Sequence, residues 1–300
     1  MSFLDHLRRA RPGRPLLLDG GLGTHLERRG HDLNGHLWSA RVLADSPEEV
    51  RAAHEDFFDA GAQIATTCSY QVTFEGCGQE GLRAEALLDR SVRLAREAAH
   101  GAEDATGQPR WVAASVGPYG AGPGAGTEYD GAYGLSAPEL ARWHRPRAEV
   151  LAAAGPDLLL AETIPSLPEV EALAEVFSEV TLPVALSLSV TGERLRDGSP
   201  LRLAAQAAAE IPGLCALGIN CCSTAQARRA LTTLREHAAV PLLAYPNSGE
   251  RWDATERRWK QRPQESPVAL IDAPVVLLGG CCRVGLREIA RLAEARAATN

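Results

Sequence analysis

Eight short apolar runs recur along the chain at fairly even spacing, at residues 16–21, 62–70, 111–118, 157–164, 183–190, 214–221, 240–247 and 275–282. Most are near-continuously apolar rather than alternating, as parallel strands covered on both faces require. Helix-like segments separate them. Ser46-Pro-Glu-Glu49 sets a capping serine before a proline at the first helical position, with a glutamate three residues after the cap. Val50, Ala53, Phe57 and Ala60 then fall along one apolar stripe. Ser136-Ala-Pro-Glu139 and Ser166-Leu-Pro-Glu169 repeat the start signal, and further helices are expected over 82–100, 200–211, 223–238 and 284–297. Strand and helix alternate with no linker-like or low-complexity tract, which predicts one α/β domain over 1–300. Its size suits a single (β/α)8 TIM barrel, typically about 250 residues.

A doubly wound open sheet would carry G-x-G-x-x-G after its first strand. Gly21-Leu-Gly23-Thr-His-Leu26 lacks the third glycine, and the glycine-rich run 117–134, broken by Pro118 and Pro123, reads as a long βα loop. The net charge of −7 argues against a nucleic-acid footprint and mildly favours cationic ligands. No stretch approaches the roughly 20 apolar residues of a membrane span, and the first residues show no signal-peptide core. The expectation is a cytoplasmic protein with no membrane partner; its sequence carries no signal of oligomeric state. In that compartment the seven cysteines read as core residues, metal ligands or reactive thiols rather than disulfides.

Chemistry in such barrels sits at the C-terminal ends of the strands. All five tyrosines (Tyr70, Tyr119, Tyr129, Tyr133 and Tyr245) fall at those ends or in the loops beyond. Cys221 ends the sixth run and Cys281-Cys282 the eighth, so all three project toward one rim across a single intervening strand. Neighbours on a regular strand face opposite ways. Both members of the pair can reach one point only where the chain turns, a freedom that Gly279-Gly280 is expected to supply. Zinc favours tetrahedral sulfur ligands, and a catalytic site keeps the fourth position open. The competing reading is that buried cysteine serves as a small hydrophobe. Cys222, Cys215 inside the sixth strand and Cys77 in a loop are expected to do so, with Cys68 open to either role.

At these residues the sequence resembles the homocysteine S-methyltransferase family over nearly the whole chain. The resemblance is carried by Asp19-Gly-Gly-Leu-Gly-Thr24, Leu37-Trp-Ser-Ala-Arg41, Thr67-Cys-Ser-Tyr-Gln71, Ala114-Ser-Val-Gly-Pro-Tyr119 and Glu162-Thr-Ile-Pro165. It continues through Asp197-Gly-Ser199, Gly218-Ile-Asn-Cys221, Tyr245-Pro-Asn-Ser-Gly249 and Gly279-Gly-Cys-Cys-Arg283. After Arg283 the chain departs from the family's usual Thr-Thr-Pro and reads Val284-Gly285-Leu286. The resemblance implies Zn²⁺ held by Cys221, Cys281 and Cys282, with homocysteine entering the open position as a thiolate. It implies a sulfonium or ammonium methyl donor, S-methylmethionine being favoured and S-adenosylmethionine a further candidate. Asp19 and Glu162 would meet the substrate ammonium, and the N–H groups of Gly20 and Gly21 its carboxylate. Asn220 would orient the Cys221 loop or touch substrate, and rim tyrosines, Tyr70 and Tyr119 among them, would face the onium cation. Thr67, Ser69 and Gln71 are further candidate contacts, whereas His25 is expected to be a surface or loop histidine without a role. Selenocysteine is an alternative acceptor, and a non-catalytic metal-storage or redox thiol site is the alternative from a different class.

Overall fold

Each apolar run folds into a parallel strand in the computed structural model, which describes residues 1–33, 37–122, 127–249, 251–253, 258–260 and 265–299. The strands are β1 (Leu16–Leu17), β2 (Ile64–Thr66), β3 (Trp111–Val116), β4 (Leu158–Ile164), β5 (Val184–Leu188), β6 (Leu214–Asn220), β7 (Leu242–Tyr245) and β8 (Val275–Leu278). They pair in the order β1-β8-β7-β6-β5-β4-β3-β2. The ring closes where β1 meets β2, through a parallel bridge between Leu18 and Ile64. Two backbone bonds seal this seam, Gln63 N–H to Leu17 O at 2.8 Å and Asp19 N–H to Ile64 O at 3.1 Å. The fold is a TIM barrel.

The continuous apolarity of the runs has a simple cause in this arrangement. Successive side chains point to opposite faces, and both faces are dry. Leu16, Leu18, Ile64, Trp111, Ala113, Leu158, Leu160, Ala185, Ala216, Leu243 and Leu277 fill the barrel interior. Their sequence neighbours, such as Leu17, Ala65, Val112, Leu159, Leu186 and Leu242, pack outward under the helices. A short helix, Phe3–Leu7, sits against the interior cluster, with the Phe3 ring 5.9 Å from that of Trp111.

The main helices are Pro47–Asp59, Ala84–Thr106, Ala137–Ala153, Leu167–Phe177, Leu201–Ala208, Thr224–His237 and Leu286–Ala298. The second outruns the expected end at residue 100, stopping at Gly107 in the left-handed conformation. Of the three serine start signals, only Ser136 forms the reciprocal capping box with its glutamate. Ser46 already closes the preceding helix, Ser39–Asp45, by donating its N–H to Val42 O, and Glu49 instead pairs with Arg29 at 2.9 Å. Glu169 is drawn into the interior, where it accepts from Tyr119 N–H at 2.6 Å and faces His144 Nε2 at 2.9 Å. No described helix is long and apolar enough to cross a membrane.

His54, on Pro47–Asp59, is fully buried, and neither ring nitrogen has a partner among the described residues. Burial alone pushes its pKa down to about 4. A histidine with a depressed folded pKa stabilises fully above its unfolded value near 6.5 and loses that contribution as pH falls toward 4. We expect the wild type to lose about 3 kcal/mol over that window through this group. Urea denaturation across pH 4–7 checks it: H54L should flatten the slope, and an unchanged slope would remove His54 as its origin.

Candidate metal centre and substrate rim

At the end of β6 the chain takes an unusual turn: Cys221 adopts φ 53° while its N–H donates to Tyr245 O at 3.3 Å. A left-handed non-glycine residue stores strain, and such strain gathers at functional sites. Beyond β8 the chain stays bonded to the β7 side, Gly279 N–H to Ala244 O and Cys281 N–H to Pro246 O, before folding back with Val284 N–H on Cys281 O. The turning residue is Arg283, φ 66°, rather than either glycine. Gly279 and Gly280 are needed for space instead. A Cβ on Gly279 would lie 2.6 Å from Leu18 Cβ, and one on Gly280 2.1 Å from a Val284 methyl. Val284, where the chain departs from Thr-Thr-Pro, is thus the residue that fills this turn.

The two segments bring three sulfurs together. Cys221 Sγ lies 3.7 Å from Cys282 Sγ, Cys281 Sγ lies 4.0 Å from Cys282 Sγ, and all three are within 4.8 Å of one another. Zinc–sulfur bonds of about 2.3 Å in a tetrahedron would set sulfurs about 3.8 Å apart, so the cluster fits such an ion with little movement. Hydrogen bonds from Cys281 and Cys282 pull the Cys221 thiol well below its ordinary range, while the other two are pushed above it. Three adjacent anions cannot coexist here without a cation. The remaining cysteines are packers. Cys68 donates to Ser39 O at 3.4 Å and is pushed up to about 12 by burial, as are Cys215 and Cys222. Cys77 is buried too, but on a helix, Phe74–Gln79, rather than in a loop.

Two acids face this corner. Glu162, on β4, accepts from Ser115 Oγ and from Tyr245 Oη, the latter at 3.1 Å. Asp19 accepts from Thr66 N–H at 2.8 Å, tying the end of β1 to that of β2. Burial raises Glu162 to about 7 and Asp19 to about 8, and Glu162 adds to the second shift. Both are acids that a buried cation would relieve. Thr67 and Ser69 hydroxyls are spent on each other and on Ser115 backbone groups. Gly21 is likewise committed, its N–H donating to Val284 O at 2.9 Å, so it is unavailable to a carboxylate. Gly20 N–H has no acceptor among the described residues.

Asn220 is fully buried and locks three strands. Its amide oxygen accepts from Thr163 N–H (2.9 Å) and Ser187 Oγ (2.8 Å), and its nitrogen donates to Thr163 Oγ1 (2.8 Å). It orients the turn at Cys221 rather than offering a substrate contact. Tyr70 lies beside Thr163, near Glu162 and Cys221. Tyr119 belongs to a different set, its ring 5.1 Å from Tyr133 and 5.0 Å from Trp143. The tyrosine against the cluster is Tyr129, whose hydroxyl is 3.1 Å from Cys221 Sγ. Its position in a long loop gave no periodic signal; only its share in the rim gathering of tyrosines pointed to it. His25 is not a surface histidine: it is buried on the helix Leu22–Arg28, with Nε2 2.8 Å from Asp56 and its ring against Phe57.

Fold and rim together define a barrel enzyme with a thiol corner fit for a metal ion. The sequence profile of the homocysteine S-methyltransferase family matches residues 16–296. Homocysteine S-methyltransferase from Escherichia coli is 43% identical over 291 residues, covering 92% of this chain and 94% of that protein. Homocysteine S-methyltransferase YbgG from Bacillus subtilis is 38% identical over 293 residues, covering 93% of each. The crystal structure of the homocysteine methyltransferase MmuM from Escherichia coli in its metallated form superposes with a TM-score of 0.83 at 40% identity, covering 93% of this chain and 96% of that one. The chain belongs to the homocysteine S-methyltransferase family. It is a methyltransferase, and a metal at the cysteine cluster is suggested both by the sulfur geometry and by the metallated neighbour.

Asn220→Ala strands the Thr163 N–H and Ser187 hydroxyl in a dry interior. We expect a loss of about 3 kcal/mol in chemical denaturation; a loss below about 1 kcal/mol would show that the three strands hold the turn without it.

Proposed function

We propose that residues 1–300 form one homocysteine-binding barrel that transfers a methyl group from a sulfonium donor, S-methylmethionine in the first instance, to the homocysteine sulfur. The observation that carries the reading is the convergence of three sulfurs, from segments sixty residues apart in sequence, within 4.8 Å at a rim lined by two buried acids. Cys221, Cys281 and Cys282 would hold Zn²⁺. When bound, the ion supplies a site at which the homocysteine thiol loses its proton near neutral pH.

The protein's own groups do the positioning. Glu162 and Asp19 take the homocysteine ammonium, whose charge offsets the burial that raises both carboxyls. Gly20 N–H is directed to the carboxylate. Asn220 holds the Cys221 turn, and Tyr70 forms part of the wall. The reaction is a displacement: a new bond forms between the homocysteine sulfur and the methyl carbon as the donor's sulfur–methyl bond breaks. The electron pair of that bond stays on the donor sulfur, giving two methionines from S-methylmethionine and homocysteine, and the thiol proton goes to solvent. Charge is lost in the transition state, which a dry rim favours, and in-line alignment is the largest contribution a rigid barrel can make.

Two substitutions test the assignment. C281S should lose bound zinc and methionine formation together, by metal analysis and product assay; activity retained at the wild-type level would overturn the ligand set. E162A should raise the homocysteine KM at least about ten-fold while zinc stays bound, and an unchanged KM and rate would remove Glu162 from the substrate. A metal-storage or redox protein would bind zinc yet form no methionine and be indifferent to E162A.

A further inference from the structure

Near Tyr129 stands a second pair of opposite charges that the chemistry above does not use. The Arg196 guanidinium lies 5.7 Å from the Tyr129 ring centroid. Its Nε donates to Ser189 Oγ at 3.2 Å and one Nη to Thr191 Oγ1 at 3.1 Å. Next to Tyr129 in sequence is Glu128, half-buried and close enough to Cys221 and Tyr70 for their charges to interact. Among the described residues neither Arg196 nor Glu128 has a partner of opposite charge within ion-pair distance. Two hydroxyls fix the guanidinium and leave its second Nη without an acceptor among the described residues.

A cation over one aromatic ring and an anion on the residue before it, neither paired with an opposite charge among the described residues, are complementary to a zwitterion where that ring's hydroxyl reaches a cluster sulfur. We propose that Arg196 and Glu128 form the amino-acid subsite of the methyl donor, Arg196 taking its carboxylate, Glu128 its ammonium, and the Tyr129 ring lying beneath the chain that carries the sulfonium. This rests on the methyl-transfer reading above and adds the donor's recognition to it. The acceptor's ammonium is already met by Glu162 and Asp19, so a second acid–base pair at the same corner serves a second amino acid. Guanidinium and carboxylate match in fork geometry. Burial pushes the Glu128 carboxyl up, a penalty that an ammonium beside it would offset. The arrangement selects α-amino-acid sulfoniums over onium donors that lack either group, because each missing group leaves a half-buried charge unpaired.

The experiment compares wild type, R196Q, R196K and E128Q as zinc-loaded full-length proteins. S-methylmethionine is the donor, and dimethylsulfoniopropionate, which has the carboxylate but no ammonium, is the competitive probe. R196Q should raise the S-methylmethionine KM and the probe's inhibition constant by about ten-fold or more, with partial recovery in R196K. E128Q should raise the first and leave the second within about two-fold, and the homocysteine KM should hold in every variant. Thermal melts within a few degrees of wild type (about 3 °C) separate these effects from misfolding, and R196K supplies the contrast should R196Q melt early. The subsite is overturned if the S-methylmethionine KM is unchanged in R196Q, if E128Q weakens both compounds equally, or if the homocysteine KM moves instead. Failure of the underlying reading looks different: wild type itself would form no methionine from homocysteine and S-methylmethionine.

Discussion

Three sulfurs held nearly in contact at a buried rim are the constraint around which the rest of this end of the barrel is arranged. Three thiols in that position cannot all release their protons, because each new anion raises the cost of the next. A divalent cation resolves the conflict, and three thiolates more than neutralise it. The surroundings follow the same electrostatic logic. The two carboxyls beside the cluster are kept out of water, and burial raises both well above the ordinary carboxylate range. Hydroxyls of Ser115 and Tyr245 hold Glu162 in place and favour its charged form, though burial outweighs them.

The barrel makes that corner possible by geometry that no single segment owns. Cys221 needs a left-handed turn, supported from below by the Asn220 amide; the Cys281-Cys282 pair needs a bare backbone where Gly279 and Gly280 pass Leu18 and Val284. The same Val284 carbonyl accepts the Gly21 N–H. The last strand's turn is thereby bonded to the first strand's, so the contact that ties β8 to β1 also places two of the three sulfurs.

Much of this was legible in the sequence because parallel strands buried on both faces leave an unbroken apolar record, and all eight runs became strands. The cysteines were legible because strand ends fix a side chain's height on the barrel. What escaped lay where no period operates. Tyr129 comes from a loop, and its contact with Cys221 depends on how that loop folds back. Cys77 sits in a six-residue helix too short to show a stripe. His25 reads as polar, yet Asp56 and Phe57 from the neighbouring helix enclose it. The glycine pair was read for its torsional freedom when the structure uses it for clearance, a distinction visible only once Val284 is seen against Gly280.

The Asn220 clasp has a consequence for how this protein is assembled. Its three hydrogen bonds join β4, β5 and β6, while the sulfur beside it must still await β8. Until β8 is in place, Cys221 alone would offer a metal ion only a single tooth. Ion capture at the three sulfurs would then favour completed barrels and leave partial ones unaided.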